Sequence, residues 1–229
     1  MGYQNISVSE NNVSMGIPTF SPVGVATTVD IQDIKVVADG ISSGAVQIQT
    51  LAGDGSTDEI FMWIPESEAA DMGMDGEGWF DPNTGVAAER TFAEGEAYVL
   101  SNDYGDGATL LYSGEVLAGA TAVPISENNV SISGNMTPVA FDIAAFVVDG
   151  DGISSGAVQI QTLAGDGSTD EIFMWIPESE AADMGMEGEG WFDPNTGATA
   201  EHEFAAGEGF ILSNDYGEGA TLTIPSALE

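Results

Sequence analysis

Three acidic clusters, each present twice, are the residues of this sequence with the clearest potential for chemistry. Each cluster places carboxylate, hydroxyl or amide oxygens in a Gly-rich turn, and Ca²⁺ takes about six to eight such oxygens in irregular geometry. Calcium is therefore a predicted cofactor; the alternative is plain solvated turns, which favour Asp, Asn and Gly for conformational reasons. The second cluster consists of Asp75, Glu77 and Asp81. The predicted calcium ligands come from the first and third clusters and their copies: Asp54, Ser56, Asp58, Glu59, Asp103, Asp106, Asp166, Ser168, Asp170, Glu171, Asp215 and Glu218.

Two tryptophans suggest a second kind of site. Trp79 and Trp191 each lie between Gly and Phe beside an acidic loop, whereas Trp63 lies in a continuous apolar run that is typical of a core. An exposed indole offers a flat face on which a sugar ring can stack, so we predict Trp79 and Trp191 as ligand-binding residues of an alternative function, carbohydrate binding. Core packing is the competing role for an aromatic side chain in a strand.

Catalytic residues are scarce. The chain has no Cys and only one His, His202, whose counterpart in the other copy is Arg90. A Cys-His arrangement is therefore excluded, a Ser-His-Asp arrangement could exist in one copy at most, and the usual ligands of zinc are missing. We predict that the protein is not an enzyme.

Net charge restricts the partners. The chain carries 38 Asp and Glu against 2 Lys and Arg, a formal charge of −36 at pH 7. Such a field repels nucleic-acid phosphates and anionic lipid head groups, so we predict neither nucleic-acid binding nor membrane association. No apolar run approaches the roughly 20 residues of a spanning helix, which predicts no membrane insertion. Divalent cations are the expected partners, and glycans or other copies of the chain are further candidates.

The clusters and tryptophans lie in a segment that the chain contains twice. Residues 39–85 recur as residues 151–197 with a single change, Asp75 to Glu187. Repeats of this length indicate structural modules, so the sequence predicts two domains, at residues 3–117 and 118–227. Hydrophobic residues make up 43% of the chain, enough for each domain to form its own core.

Short alternating strands must position these residues. Residues 45–51 alternate apolar and polar side chains with the period of a half-buried strand, and residues 59–64 form an apolar run typical of a central strand. A Gly/Asp turn between them predicts a hairpin. About seven or eight such strands per repeat, separated by turn residues, predict an all-β fold of two tandem antiparallel β-sandwich, jelly-roll-like domains.

The order of aromatic and turn residues resembles that of uncharacterised β-rich repeats in secreted bacterial surface proteins. The residues that carry the resemblance are Trp63, Gly78, Trp79, Phe92, Gly95, Glu96, Tyr98, Leu100, Ala108, Thr109 and Leu110. The resemblance implies export and a structural or adhesive role. We therefore expect a secreted or cell-surface bacterial protein that acts as a structural or adhesion module, with calcium stabilisation and self-assembly as further expectations.

Overall fold

The computed structural model describes residues 2–18, 20–21, 28–93, 95–103, 107–116, 120–215 and 218–225. Strands dominate this part of the chain, and all the strand pairs are antiparallel. The predicted all-β fold of two sandwich-like domains is confirmed. None of the described helices is long and apolar enough to cross a membrane.

The first repeat forms strands that we label β1–β12. Their bounds are β1 Gly2–Val8, β2 Asn12–Gly16, β3 Phe20–Ser21, β4 Thr28–Asp30, β5 Lys35–Val37, β6 Val46–Leu51, β7 Thr57–Ile64, β8 Gly78–Asp81, β9 Val86–Ala87, β10 Thr91–Ala93, β11 Tyr98–Asn102 and β12 Ala108–Val116. One turn of helix, α1 (Glu66–Ala69), continues into a 3₁₀ turn at Ala70–Met72, and another 3₁₀ turn spans Ile31–Asp33.

The second repeat forms strands β13–β23 in a similar order. Their bounds are β13 Thr121–Ile125, β14 Asn129–Gly134, β15 Phe141–Asp142, β16 Val147–Asp149, β17 Val158–Leu163, β18 Thr169–Ile176, β19 Gly190–Asp193, β20 Ala198–Thr199, β21 Glu203–Phe204, β22 Gly209–Asn214 and β23 Ala220–Ile224. Helix α2 (Glu178–Ala181) and the 3₁₀ turns Ile143–Ala145 and Ala182–Met184 complete the set.

Each repeat builds one large sheet and smaller sheets that cover it. The large sheets have the orders β2-β11-β6-β7-β8-β9 and β14-β22-β17-β18-β19-β20. The covering sheets are β1-β12-β3 with β5, and β10-β4, in the first repeat; they are β13-β23-β16 and β15-β21 in the second. Among the described residues, none of these sheets contains strands of both repeats, and we therefore refer to the two repeats as the first and second modules.

The central hairpin shows how the sequence pattern sets the sheet. In β6 the side chains of Val46, Ile48 and Thr50 are buried, and those between them are half-buried. Strand β7 pairs with β6 in antiparallel register, as the sequence predicts, and the register shifts by one residue beside the turn. Gly55 closes this turn with φ of 82°, a left-handed conformation that Gly adopts without strain.

An apolar core fills the space between the sheets of each module. The first core combines large-sheet residues such as Ile48 and Leu100 with Val8 and Leu110 from the covering sheet. Ile31, at the start of the 3₁₀ turn, closes it at one side and is fully buried. Packing two sheets face to face in this way buries the apolar positions of both.

Candidate functional site

The first acidic cluster forms a turn that uses its own oxygens. Oδ1 of Asp54 accepts hydrogen bonds from the Ser56 hydroxyl at 2.6 Å and from the Ser56 N–H at 2.9 Å. The same bonds, at the same distances, join Asp166 and Ser168. These bonds, chiefly that from the hydroxyl, lower the pKa of Asp54 and of Asp166. Because hydrogen bonds stabilise the ionised carboxylate, both side chains stay charged at neutral pH.

The glutamates of this cluster face a different partner. Oε2 of Glu59 forms an ion pair with Nε of Arg90 at 3.1 Å, and Arg90 also pairs with Glu96. In the second module Oε2 of Glu171 lies 2.8 Å from Nδ1 of His202. These contacts place Glu59 and Glu171 beside a cationic or imidazole group, which competes with a metal ion for their oxygens. Asp58 and Asp170 are exposed on the same strands.

The remaining predicted calcium ligands lie in the segments that follow β11 and β22. The Asp103 N–H donates to the Ala45 carbonyl at 2.9 Å, and its Oδ2 accepts from the Gln47 amide at 3.2 Å. Asp215 makes the equivalent backbone bond, whereas Asp106 lies outside the described residues. Over the described ranges, no group of three or more His, Cys, Asp or Glu side chains is arranged to hold a metal ion. Glu218 is exposed beside this loop.

Calcium binding by these loops stays a prediction, and thermal unfolding tests it. One site per module, saturated at about 100 times its Kd, would add about 2.7 kcal/mol to stability by mass action. The control is NaCl at matched ionic strength, because screening of the −36 charge also stabilises the fold. A specific site raises Tm beyond this control and loses the excess in Asp54→Asn/Asp166→Asn. Equal Tm values in CaCl₂ and matched NaCl would contradict calcium binding.

The two predicted sugar-stacking residues lie in the core. Trp79 is 0% exposed and Trp191 is 1% exposed. Each indole Nε1 donates to a backbone carbonyl at 2.8 Å, from Trp79 to Ile34 and from Trp191 to Phe146. The prediction that these rings are exposed is wrong, because β8 and β19 lie inside the large sheets and the two rings belong to the buried cores of their modules. Neither ring presents a face on which a sugar could stack.

The two modules contact each other through hydrogen bonds at equivalent positions of the two repeats. The Val13 N–H in β2 donates to Gly165 O at 2.7 Å, and the Val130 N–H in β14 donates to Gly53 O at 2.8 Å. Val13 and Val130 are equivalent, as are Gly53 and Gly165. The contact is therefore reciprocal, with the pseudo-two-fold symmetry of an isologous interface.

Apolar side chains continue the second core across this contact, which we call the module interface. Met15, Ile17 and Ala97 of the first module are 6%, 0% and 4% exposed and belong to the same buried cluster as the core of the second module. Leu51 and Val99 pack against that cluster. These residues explain why one face of the first large sheet is half-buried and not solvated.

The module interface brings backbone together at one point more closely than a side chain would allow. A Cβ built on Gly209 would lie 2.6 Å from Cβ of Met15 and 3.1 Å from the Gly16 nitrogen. The equivalent position in the first module is Ala97. The interface is thus symmetric in its hydrogen bonds but asymmetric in its side chains.

The sequence contains a signal for this interface outside the long duplicated stretch. The segment Ser9-Glu10-Asn11-Asn12-Val13 recurs at residues 126–130, and these copies supply the two valine N–H donors. Asn11 and Asn128 adopt positive φ values of 52° and 51°. Repetition alone marks the segment as part of the module, but it does not indicate which surface the segment contacts.

Fold and interface together define the class: a tandem β-sandwich protein whose two modules, near-identical over residues 39–85 and 151–197, pair reciprocally. Comparison of the chain with protein-family models, with curated proteins and with solved structures gave no match. The resemblance to bacterial surface repeats therefore stays a prediction.

Proposed function

We propose that this protein is a structural or adhesion element of a bacterial cell surface or secreted layer. The observation that carries the proposal is the module interface, which joins two copies of one domain and lets residues of the first module extend the core of the second. Two copies of one unit give a surface protein reach or multivalency, whereas a second identical catalytic site adds little to an enzyme.

Charge supports the same proposal. With a net charge of −36 the protein repels other polyanions and attracts cations, which suits a hydrated, saline exterior. Divalent cations are the proposed partners, and contacts with other copies of the chain would assemble the layer. The outer edge strands β9 and β20 span two residues each, so they offer few backbone groups for uncontrolled pairing between molecules.

Immunolabelling of intact cells that express the protein tests the proposal. An antibody raised against the folded chain should label unpermeabilised cells or the surrounding matrix, and external protease should remove the label. An antibody against a cytoplasmic protein serves as the control for cell integrity. Labelling that requires permeabilisation would contradict a surface role.

A further inference from the structure

One cavity is lined by several of the residues that differ between the two otherwise similar modules. It has a volume of about 210 Å³ and lies in the second module beside the 3₁₀ turn Ile143–Ala145. Its lining includes Ala144, Glu187 and Thr199, whereas the equivalent residues of the first module are Gln32, Asp75 and Ala87. The other lining residues are identical in both copies. Glu187 is also the single change within the long duplicated stretch.

In the first module the carboxamide of Gln32 occupies this position. Its oxygen accepts a hydrogen bond from the Trp79 backbone N–H at 3.1 Å. Its nitrogen donates to the Trp79 carbonyl at 2.8 Å and to the Ala88 carbonyl at 2.9 Å. The carboxamide therefore bridges the Trp79 N–H and the Ala88 carbonyl, whereas the Trp79 carbonyl also accepts a hydrogen bond from the Ala88 N–H at 2.8 Å. Trp79 and Ala88 are 0% and 2% exposed, so these backbone groups are otherwise shielded from water.

The second module has the same backbone framework at this position, but Ala144 lacks the carboxamide that Gln32 provides in the first module. The Ala144 N–H donates to the Asp142 carboxylate at 2.8 Å, as the Gln32 N–H donates to Asp30 at 2.9 Å. The backbone of the turn is therefore held by the same cap in both modules. The side chain of residue 144 starts from the equivalent place but ends at Cβ.

The backbone groups that Gln32 binds have direct counterparts in the cavity. The Ala200 N–H donates to the Trp191 carbonyl at 2.8 Å, the same distance as between Ala88 and Trp79. In the part of the chain that the structure describes, no side chain bonds to the Trp191 N–H or to the Ala200 carbonyl. Trp191 and Ala200 are buried, whereas Ala144 is exposed, so the cavity leads from the surface to these groups.

We propose that this cavity of the second module is a binding site for a primary carboxamide, such as the end of a glutamine side chain or a small free amide. The ligand oxygen accepts from the Trp191 N–H, and the ligand nitrogen donates to the Ala200 carbonyl, as Gln32 does within the first module. The volume of the cavity is below the roughly 300–1,000 Å³ typical of sites for drug-sized ligands, which suits a terminal group of this size.

Hydrogen-bond chemistry gives the site its selectivity. A carboxylate has no donor for the Ala200 carbonyl, and its charge is opposed by Glu187 and Glu189 at the cavity wall. An ammonium group has no acceptor for the Trp191 N–H. A group that carries an acceptor and a donor side by side satisfies both, and a primary carboxamide has this arrangement.

NMR titration of the full ¹⁵N-labelled chain tests the proposal. Addition of acetamide should shift the Trp191 backbone amide resonance in a saturable way while the Trp79 amide stays unchanged, with a Kd on the order of millimolar because the ligand has few atoms. Acetate at equal concentration should produce no saturable shift. Free L-glutamine and the peptide Gly-Gly-Gln-Gly-Gly, compared with its Glu counterpart, distinguish a small-molecule source from a side chain on another protein.

Two matched variants fill the cavity in the second module and open the equivalent cavity in the first. Ala144→Gln supplies the internal carboxamide and should weaken acetamide binding at Trp191 at least tenfold. Gln32→Ala opens the equivalent cavity in the first module, so the Trp79 amide should then shift on titration. Absence of a Trp191 shift with acetamide and with both glutamine probes would overturn the proposal. An unchanged Kd in Ala144→Gln, or equal shifts with acetate, would also overturn it.

Discussion

Replacement of Trp191 by alanine is expected to destabilise the second module by about 3–5 kcal/mol, the usual cost of removing a buried aromatic from a core. The ring is 1% exposed and packs edge-on against Trp175 with centroids 5.4 Å apart. Its indole N–H donates a hydrogen bond to the Phe146 carbonyl at 2.8 Å, and the substitution would remove this donor. Denaturant unfolding followed by circular dichroism measures the change.

Trp79→Ala provides an internal replicate because Trp79 packs against Trp63 in the same way, with centroids 5.5 Å apart. Met184→Ala is the surface control; Met184 is 39% exposed, and we expect a change within about 0.5 kcal/mol. A surface role for the tryptophans predicts the opposite result, a loss of ligand binding with stability retained. A destabilisation below about 1 kcal/mol for Trp191→Ala would contradict the core assignment.

Gly209→Ala is expected to open the module interface and to destabilise the protein by about 1–3 kcal/mol, the range for overpacking of a close contact. The new methyl group would lie 2.6 Å from Met15 Cβ. Since that atom is fixed to the backbone, β2 as a whole has to move. Amide hydrogen exchange should then show reduced protection of the Val13 and Val130 N–H groups, whose bonds to Gly165 and Gly53 cross the interface.

Gly219→Ala is the matched control in the same module. A Cβ at Gly219 would meet the Ile125 carbonyl at 3.5 Å, an ordinary van der Waals distance. We expect stability to stay the same or to rise slightly, because alanine restricts the unfolded chain. Full protection of Val13 and Val130 in Gly209→Ala would show that the interface does not depend on this close approach.

Local sequence periodicity was sufficient to predict the fold class and the central hairpin. Alternation in residues 45–51 corresponds to β6, and the apolar run 59–64 falls within β7. These elements are set by nearest-neighbour patterns and turn residues, so a single sequence contains the information for them.

The placement of Trp79 and the module interface depends on contacts that local patterns do not contain. Trp79 has glycine and acidic neighbours typical of a loop, but its indole bonds to Ile34, 45 positions earlier in the chain. Val13 and Gly165 are still farther apart in sequence. Glu59 shows the same effect, because its position in the sequence groups it with Asp54 whereas the fold places Arg90 beside it.

The short connection between β12 and β13 affects how readily the two modules stay associated. Strand β12 ends at Val116 and β13 begins at Thr121, so the modules are separated by only a few residues. A connection this short gives each module an effective concentration of about millimolar with respect to the other. Two strongly acidic bodies repel each other when free, and salt screens that repulsion only beyond a Debye length of about 8 Å. This connection therefore allows like-charged partners to remain associated through an interface that need not be strong enough to hold separate molecules together.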